Sequence, residues 1–75
     1  MKNVRSLGLR ALALRTAAGL SQEELAARAY VSRKWLSDFE RGKPTVEASK
    51  VLDVFQALGY EFEAVPIAEL SSTDE

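Results

Sequence analysis

Cationic and hydrogen-bonding side chains are concentrated in one short stretch of this 75-residue chain. Arg33 and Lys34 are adjacent, and Arg41 and Lys43 follow shortly after them. Such side chains donate to phosphate oxygens and to the O6 and N7 acceptors of guanine, while Asp38 could accept from cytosine N4 or simply be a solvated charge. The stretch therefore predicts a nucleic-acid-binding surface. Its candidate contacts are Ser32, Arg33, Lys34, Trp35, Ser37, Asp38, Arg41 and Lys43.

Net charge divides the chain into two unlike parts. Residues 1–44 carry nine basic and four acidic side chains, a net charge of +5. Residues 45–75 carry one basic and seven acidic side chains, a net charge of −6. A basic surface attracts DNA phosphates and an acidic surface is repelled by them, so a DNA-facing surface should lie before Pro44. A dipolar surface without a function would give the same division.

Enzymatic chemistry finds little support in the composition. The chain has no histidine and no cysteine, and it contains neither a glycine-rich phosphate loop nor a recognisable pair of carboxylates for acid–base work. We therefore predict no catalytic activity, no cofactor and no metal site. No segment approaches the roughly 20 apolar residues of a membrane span, and the N-terminus is too interrupted by arginine to be a signal peptide. A cytoplasmic location is expected.

Helix signals organise the first half of the chain. Residues 3–18 are mostly strong helix formers, and Gly19 ends the helix where a left-handed residue is usual. Ser21 and Glu24 have the spacing of a capping box, which predicts the start of a second helix. After a tight turn, Ser32 can cap a third helix over residues 33–40.

A fourth helix is predicted after the break at Arg41-Gly42-Lys43-Pro44. Thr45 can cap it, and Glu47 would lie in its first turn, where the helix dipole favours an acidic side chain. Gly59 should end it. The expected buried stripe consists of Ala48, Val51, Leu52, Phe55 and Leu58.

The segment that follows predicts a short strand. Tyr60, Phe62 and Ala64 alternate with acidic residues, and Pro66 ends the pattern. A lone strand leaves its backbone groups unpaired, so pairing with the same segment of a second copy would make a homodimer. A tail lying on its own fourth helix is the alternative. The predicted organisation is a domain over residues 1–59, a dimerisation strand over 60–67 and a flexible tail over 68–75.

The second and third helices have the spacing of a helix-turn-helix. Two short amphipathic helices joined by a turn of about three residues are set roughly perpendicular to each other. The helices cross at the fifth place counted from Gln22, which must be small and is Ala26. Apolar side chains must lock the pair at the fourth, eighth, tenth, fifteenth and eighteenth places. Those places hold Leu25, Ala29, Val31, Leu36 and Phe39.

The segment GLSQEELAARAYVSRKWLSDFERGKPT resembles the helix-turn-helix domains of the phage-repressor or XRE type, over about residues 5–59. The resemblance implies a mostly α, lambda-repressor-like fold of four to five helices. It also implies a buried ion pair between Arg15 and Glu40, base contacts from Arg33 and Lys34, and a recognition helix that enters the major groove by its N-terminal end. Gln22, at the start of the second helix, should contact phosphate because free N–H groups there favour anions.

Tyr30 departs from the family pattern, which usually has glycine at this turn. A left-handed tyrosine costs on the order of 1 kcal/mol. The turn could be shifted, or Tyr30 could gain from packing or from a phosphate contact, and we expect a structural role. Trp35 leaves two possibilities as well, since it could lie against a sugar or thymine methyl or pack on the second or fourth helix.

The ending ERGKPTVEASKVLDVFQALGYEFEAV resembles HipB-type antitoxins, in which a single strand after the helical domain pairs across a dimer. The resemblance implies a dimeric repressor on a palindromic operator and a HipA-like Ser/Thr kinase toxin as a second partner. The two recognition helices of such a dimer would lie about 34 Å apart. A free-standing repressor without a toxin is the alternative. A protein-interaction module that has lost DNA binding is disfavoured by the retained cations.

Overall fold

Four α-helices form the regular structure of this computed structural model, which describes residues 4–44, 47–64 and 66. The predicted mostly helical fold is confirmed. None of the helices in the described part is long and apolar enough to cross a membrane. The helices are α1 (Val4–Ala17), α2 (Gln22–Ala29), α3 (Arg33–Glu40) and α4 (Ala48–Ala57).

Side-chain caps fix where α2 and α3 begin. At the start of α2, the Ser21 hydroxyl accepts from the Glu24 backbone N–H at 3.0 Å, and the Glu24 carboxylate accepts from the Ser21 N–H at 2.8 Å. The bond from the Ser21 backbone is the main reason why the pKa of Glu24 is lowered. Ser32 caps α3 by accepting from the Trp35 N–H at 3.0 Å. Both predicted caps are confirmed.

The core lies where α3 packs on α1 and α2, and where α2 packs on α4. It contains every apolar position that was expected to lock the helix-turn-helix, except that Val31 is only partly buried. Removing this much apolar surface from water is the main stabilising contribution in so small a domain. The buried apolar residues are Ala11, Leu25, Ala26, Ala29, Leu36, Phe39, Val51, Val54 and Phe55.

The predicted start and stripe of α4 need correction. Thr45 lies outside the described residues, and α4 begins at Ala48, with Glu47 at the N-cap rather than in the first turn. Ala48 is exposed and Leu52 is half exposed, whereas Val54, which was left out of the stripe, is fully buried. Val54 lies three residues after Val51, and Leu52 points about 100° away from that face of the helix.

Tyr30 ends α2 in the left-handed conformation, with φ 59° and ψ 40°. It is the only non-glycine residue with positive φ in the described part of the chain. Its side chain is 94% exposed, so packing does not offset the strain. The turn therefore keeps the geometry that favours glycine, at an intrinsic cost on the order of 1 kcal/mol.

Residues 60–64 follow α4 without helical or strand structure within the described chain. The Phe62 ring meets the buried Phe55 ring edge-on, with centroids 5.0 Å apart. Tyr60 and Phe62 nevertheless remain about half exposed, and Ala64 is exposed. The segment thus touches its own fourth helix. Pairing of this segment with a second copy stays a prediction, and the tail over residues 68–75 lies outside the described part.

Gly8 marks a close approach between α1 and α3, which the sequence analysis did not detect. A Cβ atom added at Gly8 would lie 1.8 Å from the Phe39 carbonyl oxygen and 2.8 Å from the carbonyl carbon. The obstacle is backbone, so it cannot rotate aside as a flexible side chain could. The absence of a side chain at Gly8 is what allows α1 to approach the end of α3.

We expect Gly8→Ala to destabilise the domain by about 1–3 kcal/mol, the usual cost of overpacking. Helix propensity alone predicts the opposite sign, a gain of about 1 kcal/mol, so urea unfolding followed by circular dichroism decides between them. Arg10→Ala, at an exposed position of the same helix, is the control and should change stability by less than about 0.5 kcal/mol. A stabilised Gly8→Ala protein would contradict the close approach.

Candidate nucleic-acid interface

A buried ion pair connects the ends of α1 and α3. Arg15 Nε donates to Glu40 Oε2 at 2.7 Å, and its second terminal nitrogen donates to Oε1 at 3.0 Å. The Glu40 side chain is only 2% exposed and that of Arg15 is 14% exposed. The Glu40 bond is the main reason why the pKa of Arg15 is raised. The pair implied by the family resemblance is therefore present, in a two-bond geometry that suits a buried carboxylate.

The same ion pair also reaches the start of α2. The remaining Arg15 nitrogen donates to the Leu20 carbonyl oxygen at 2.8 Å. The Gln22 side-chain amide donates to Glu40 Oε1 at 3.0 Å, which fills the carboxylate's hydrogen-bonding positions further. The end of α1, the start of α2 and the end of α3 thus share one hydrogen-bond network. This network fixes the orientation of α3 and therefore which of its side chains face solvent.

Arg33 lies in the first turn of α3 with its side chain in solvent. Within residues 4–44, 47–64 and 66, no group forms a hydrogen bond or ion pair with its guanidinium. Leu36 and Phe39, on the other face of the helix, are fully buried. Arg33 is therefore held by a fixed helix and is free to form new hydrogen bonds.

Asp38 gathers three of the predicted DNA-binding cations around one carboxylate. Lys34 Nζ donates to Oδ2 at 3.1 Å, Arg41 donates to Oδ1 at 2.5 Å, and Lys43 Nζ lies 3.7 Å from Oδ2. The bonds from Lys34 and then Arg41 are the main causes of the lowered pKa of Asp38. Its side chain is only 16% exposed, whereas the three cations are 66–82% exposed. Asp38 is therefore neither a solvated charge nor a free acceptor in this structure.

A further cation, which the sequence analysis missed as a candidate, lies beside this group. Gly42 has φ 87°, and a Cβ atom added there would lie 2.8 Å from Arg5 Cγ. The Arg5 side chain from the start of α1 therefore passes directly over the turn between Arg41 and Lys43. The sequence alone does not reveal that Arg5 lies near Gly42, because only the packing of α1 on α3 brings the two segments together.

Trp35 packs within its own chain, towards the start of α4. Its ring stacks on Phe39 with centroids 5.0 Å apart, and its indole N–H donates to Glu47 Oε1 at 3.1 Å. Lys50 Nζ lies 5.8 Å from the ring centroid, and its bond to Glu47 is the main reason why the pKa of that carboxyl is lowered. Of the two possibilities for Trp35, this arrangement favours packing next to α4.

The remaining predicted contacts have mixed positions. Gln22 uses its amide to hold Glu40, so its side chain supports the ion pair instead of pointing freely outward. Ser32 is exposed, although its hydroxyl caps α3, and Ser37 is half-buried on α3. In the described part of the chain no group of acidic side chains could hold a metal ion. Ser32 and Arg33 thus lie at the start of α3. Asp38 and the three cations that face it (Lys34, Arg41 and Lys43), called the Asp38 group below, lie on α3 and at its exit.

Comparison with known proteins yields a family match and a relative. Residues 6–66 match a helix-turn-helix domain family. An uncharacterized HTH-type transcriptional regulator from Sinorhizobium fredii, y4mF, is 39% identical over 59 residues, which cover 79% of this chain and 78% of the relative. No solved structure matches the chain significantly.

We expect Arg15→Met to reduce the free energy of unfolding by about 3–5 kcal/mol, because it leaves the Glu40 charge buried without its partner. The double variant Arg15→Met/Glu40→Met should recover a large part of that loss. Urea unfolding measures both, with Arg10→Met as the exposed control on the same helix. A loss below about 1 kcal/mol for Arg15→Met would show that the pair behaves like a surface ion pair.

Proposed function

Because this chain belongs to the helix-turn-helix domain family, we propose that it is a sequence-specific DNA-binding transcriptional repressor. The observation that carries the proposal is the first turn of α3, where Arg33 is exposed and unpaired within the described residues while the opposite face is buried. A recognition helix enters the major groove by its N-terminal end. The S. fredii relative is named as a transcriptional regulator, which agrees with this function.

Roles within the interface follow from the pairing of each cation. Arg33 reads a base edge, preferably the O6 and N7 atoms of guanine, since a bidentate contact there discriminates between bases by about 1–3 kcal/mol. Arg41 and Lys43 flank the exit of α3 and contact phosphates, which position the helix without reading sequence. Lys34 serves either purpose once it leaves Asp38. Ser32 and Ser37 are candidates for secondary contacts.

The repressor acts as a homodimer through the segment from Tyr60 to Val65. Two copies of the segment form an antiparallel pair of strands, which satisfies backbone groups that one copy leaves unpaired. The half-exposed rings of Tyr60 and Phe62 support this proposal, because they offer apolar surface on the segment itself. A two-fold dimer would bind a palindrome whose half-sites are about one helical turn apart.

Its finer role is that of a HipB-like antitoxin that represses its own operon and binds a HipA-like kinase toxin. The acidic second half, with a net charge of −6 over residues 45–75, supports a protein-facing surface there, because DNA would repel it. A free-standing repressor is the alternative. A kinase reading frame beside this gene, whose product co-purifies with this chain, favours the antitoxin, and a neighbour of another kind contradicts it.

We expect Arg33→Ala to abolish most of the preference for an operator duplex, obtained by selection from a random library, over a random duplex. The expected loss is about 1–3 kcal/mol of discrimination, or roughly 5- to 150-fold in relative affinity. Lys43→Ala is the matched control. It should weaken binding to both duplexes alike and reduce the salt dependence of log K by about 1. Equal losses on both duplexes for Arg33→Ala would contradict base reading.

A chain truncated after Gly59 should sediment as a monomer in analytical ultracentrifugation, whereas the full chain sediments as a dimer. The matched control ends after Pro66 and should remain dimeric, since it keeps the proposed strand. Circular dichroism verifies that both truncated chains stay helical. A dimer that persists without residues 60–75 would place the interface elsewhere, for example on the exposed Leu9 of α1.

A further inference from the structure

Phosphate contact by three of the predicted DNA-binding cations competes with existing ion pairs. Lys34, Arg41 and Lys43, all predicted to touch DNA, already face the Asp38 carboxylate at 2.5–3.7 Å. Both carboxylate oxygens are used, and the side chain is mostly covered. A carboxylate oxygen and a phosphate oxygen present the same kind of acceptor to these donors. Asp38 therefore occupies the chemical position of a DNA phosphate while DNA is absent.

We propose that Asp38 acts as an internal phosphate substitute that sets the protein's sequence-independent affinity for DNA. The inference rests on the proposed DNA-binding function and adds a residue that lowers the affinity for DNA. Three cations around one carboxylate carry a net charge of +2, and a neutral residue at position 38 would raise this to +3. Arg33 stands outside the Asp38 group, so its proposed base contact is unaffected, and the inference assigns Lys34, which belongs to the group, to phosphate contact.

Counterion release gives the size of the effect that Asp38 has on DNA affinity. The logarithm of the binding constant falls with the logarithm of salt concentration by about 0.9 for each phosphate neutralised. One additional unit of positive charge should therefore steepen the slope by about 0.9 and raise affinity at 0.1 M salt by roughly five- to tenfold. The gain should be equal for every duplex sequence, because phosphates carry no sequence information.

The test measures binding of the full chain to two duplexes, one random and one selected from a random library, over a range of salt concentrations. Asp38→Asn and Asp38→Ala should both show the roughly five- to tenfold gain and the steeper slope on both duplexes. The alanine variant guards against failure of one variant to fold, since alanine is the best helix former. Asp38→Glu keeps the charge and should remain near the wild type.

Asp53→Asn is the matched control, because it removes the same charge from an exposed position on α4. If it gains as much as Asp38→Asn, net charge alone explains the effect and the inference is overturned. If Asp38→Asn loses affinity only for the selected duplex, Asp38 reads a base and the inference is also overturned. A wild-type chain that selects no duplex from the library and does not bind the random duplex overturns the proposed function together with the inference, a result distinct from the other two.

Discussion

The buried pair of Arg15 and Glu40 is the constraint on which the rest of this structure depends. An ionised carboxylate that is 2% exposed is tolerable only if its charge and its hydrogen-bonding positions are satisfied, and here three donors satisfy them. Those donors come from α1 and α2, while the carboxylate comes from the end of α3. The electrostatic requirement of one side chain therefore determines how three helices meet. The missing side chain at Gly8 lets α1 come close enough to meet it.

On the exposed side of α3, the charged side chains differ in whether they are paired. Arg33 projects into solvent, whereas the neighbouring cations are bound to Asp38. In the protein without DNA, the side chain proposed to contact a base is therefore unpaired, whereas the side chains proposed to contact phosphates are paired with Asp38. A base contact by Arg33 needs only the loss of water, but a phosphate contact by Lys34, Arg41 or Lys43 also competes with an existing ion pair to Asp38. Because surface ion pairs are individually weak, the exchange is reversible and sensitive to salt.

Local rules predicted much of the fold from the sequence. The capping box of Ser21 and the Ser32 cap depend on neighbouring residues only, and both are present. Gly8 could not be recognised, because an interior glycine has a meaning only when the backbone that approaches it is known. The stripe of α4 was predicted wrongly at Ala48 and Leu52, which are exposed, and it omitted Val54, which lies on the same face as Val51 and Phe55.

In the candidate site too, contacts between sequence neighbours could be predicted, whereas contacts that depend on helix packing could not. Lys34 and Arg41 lie four residues before and three residues after Asp38, a spacing at which helical side chains meet, so this group could have been found from the sequence. The position of Arg5 over Gly42 could not, because it depends on the docking of α1. The Arg15–Glu40 pair also joins residues that are far apart in sequence, and only the family resemblance made it predictable.

Trp35 is the single tryptophan of the chain. Its indole is half-buried between α3 and α4, stacked on Phe39, hydrogen-bonded to Glu47 and close to the ammonium group of Lys50. Emission excited at the red edge of the absorption band therefore comes from one known place, a few residues from Asp38. The protein carries its own optical probe at the proposed interface, and a spectral change on titration reports on α3 without an attached dye.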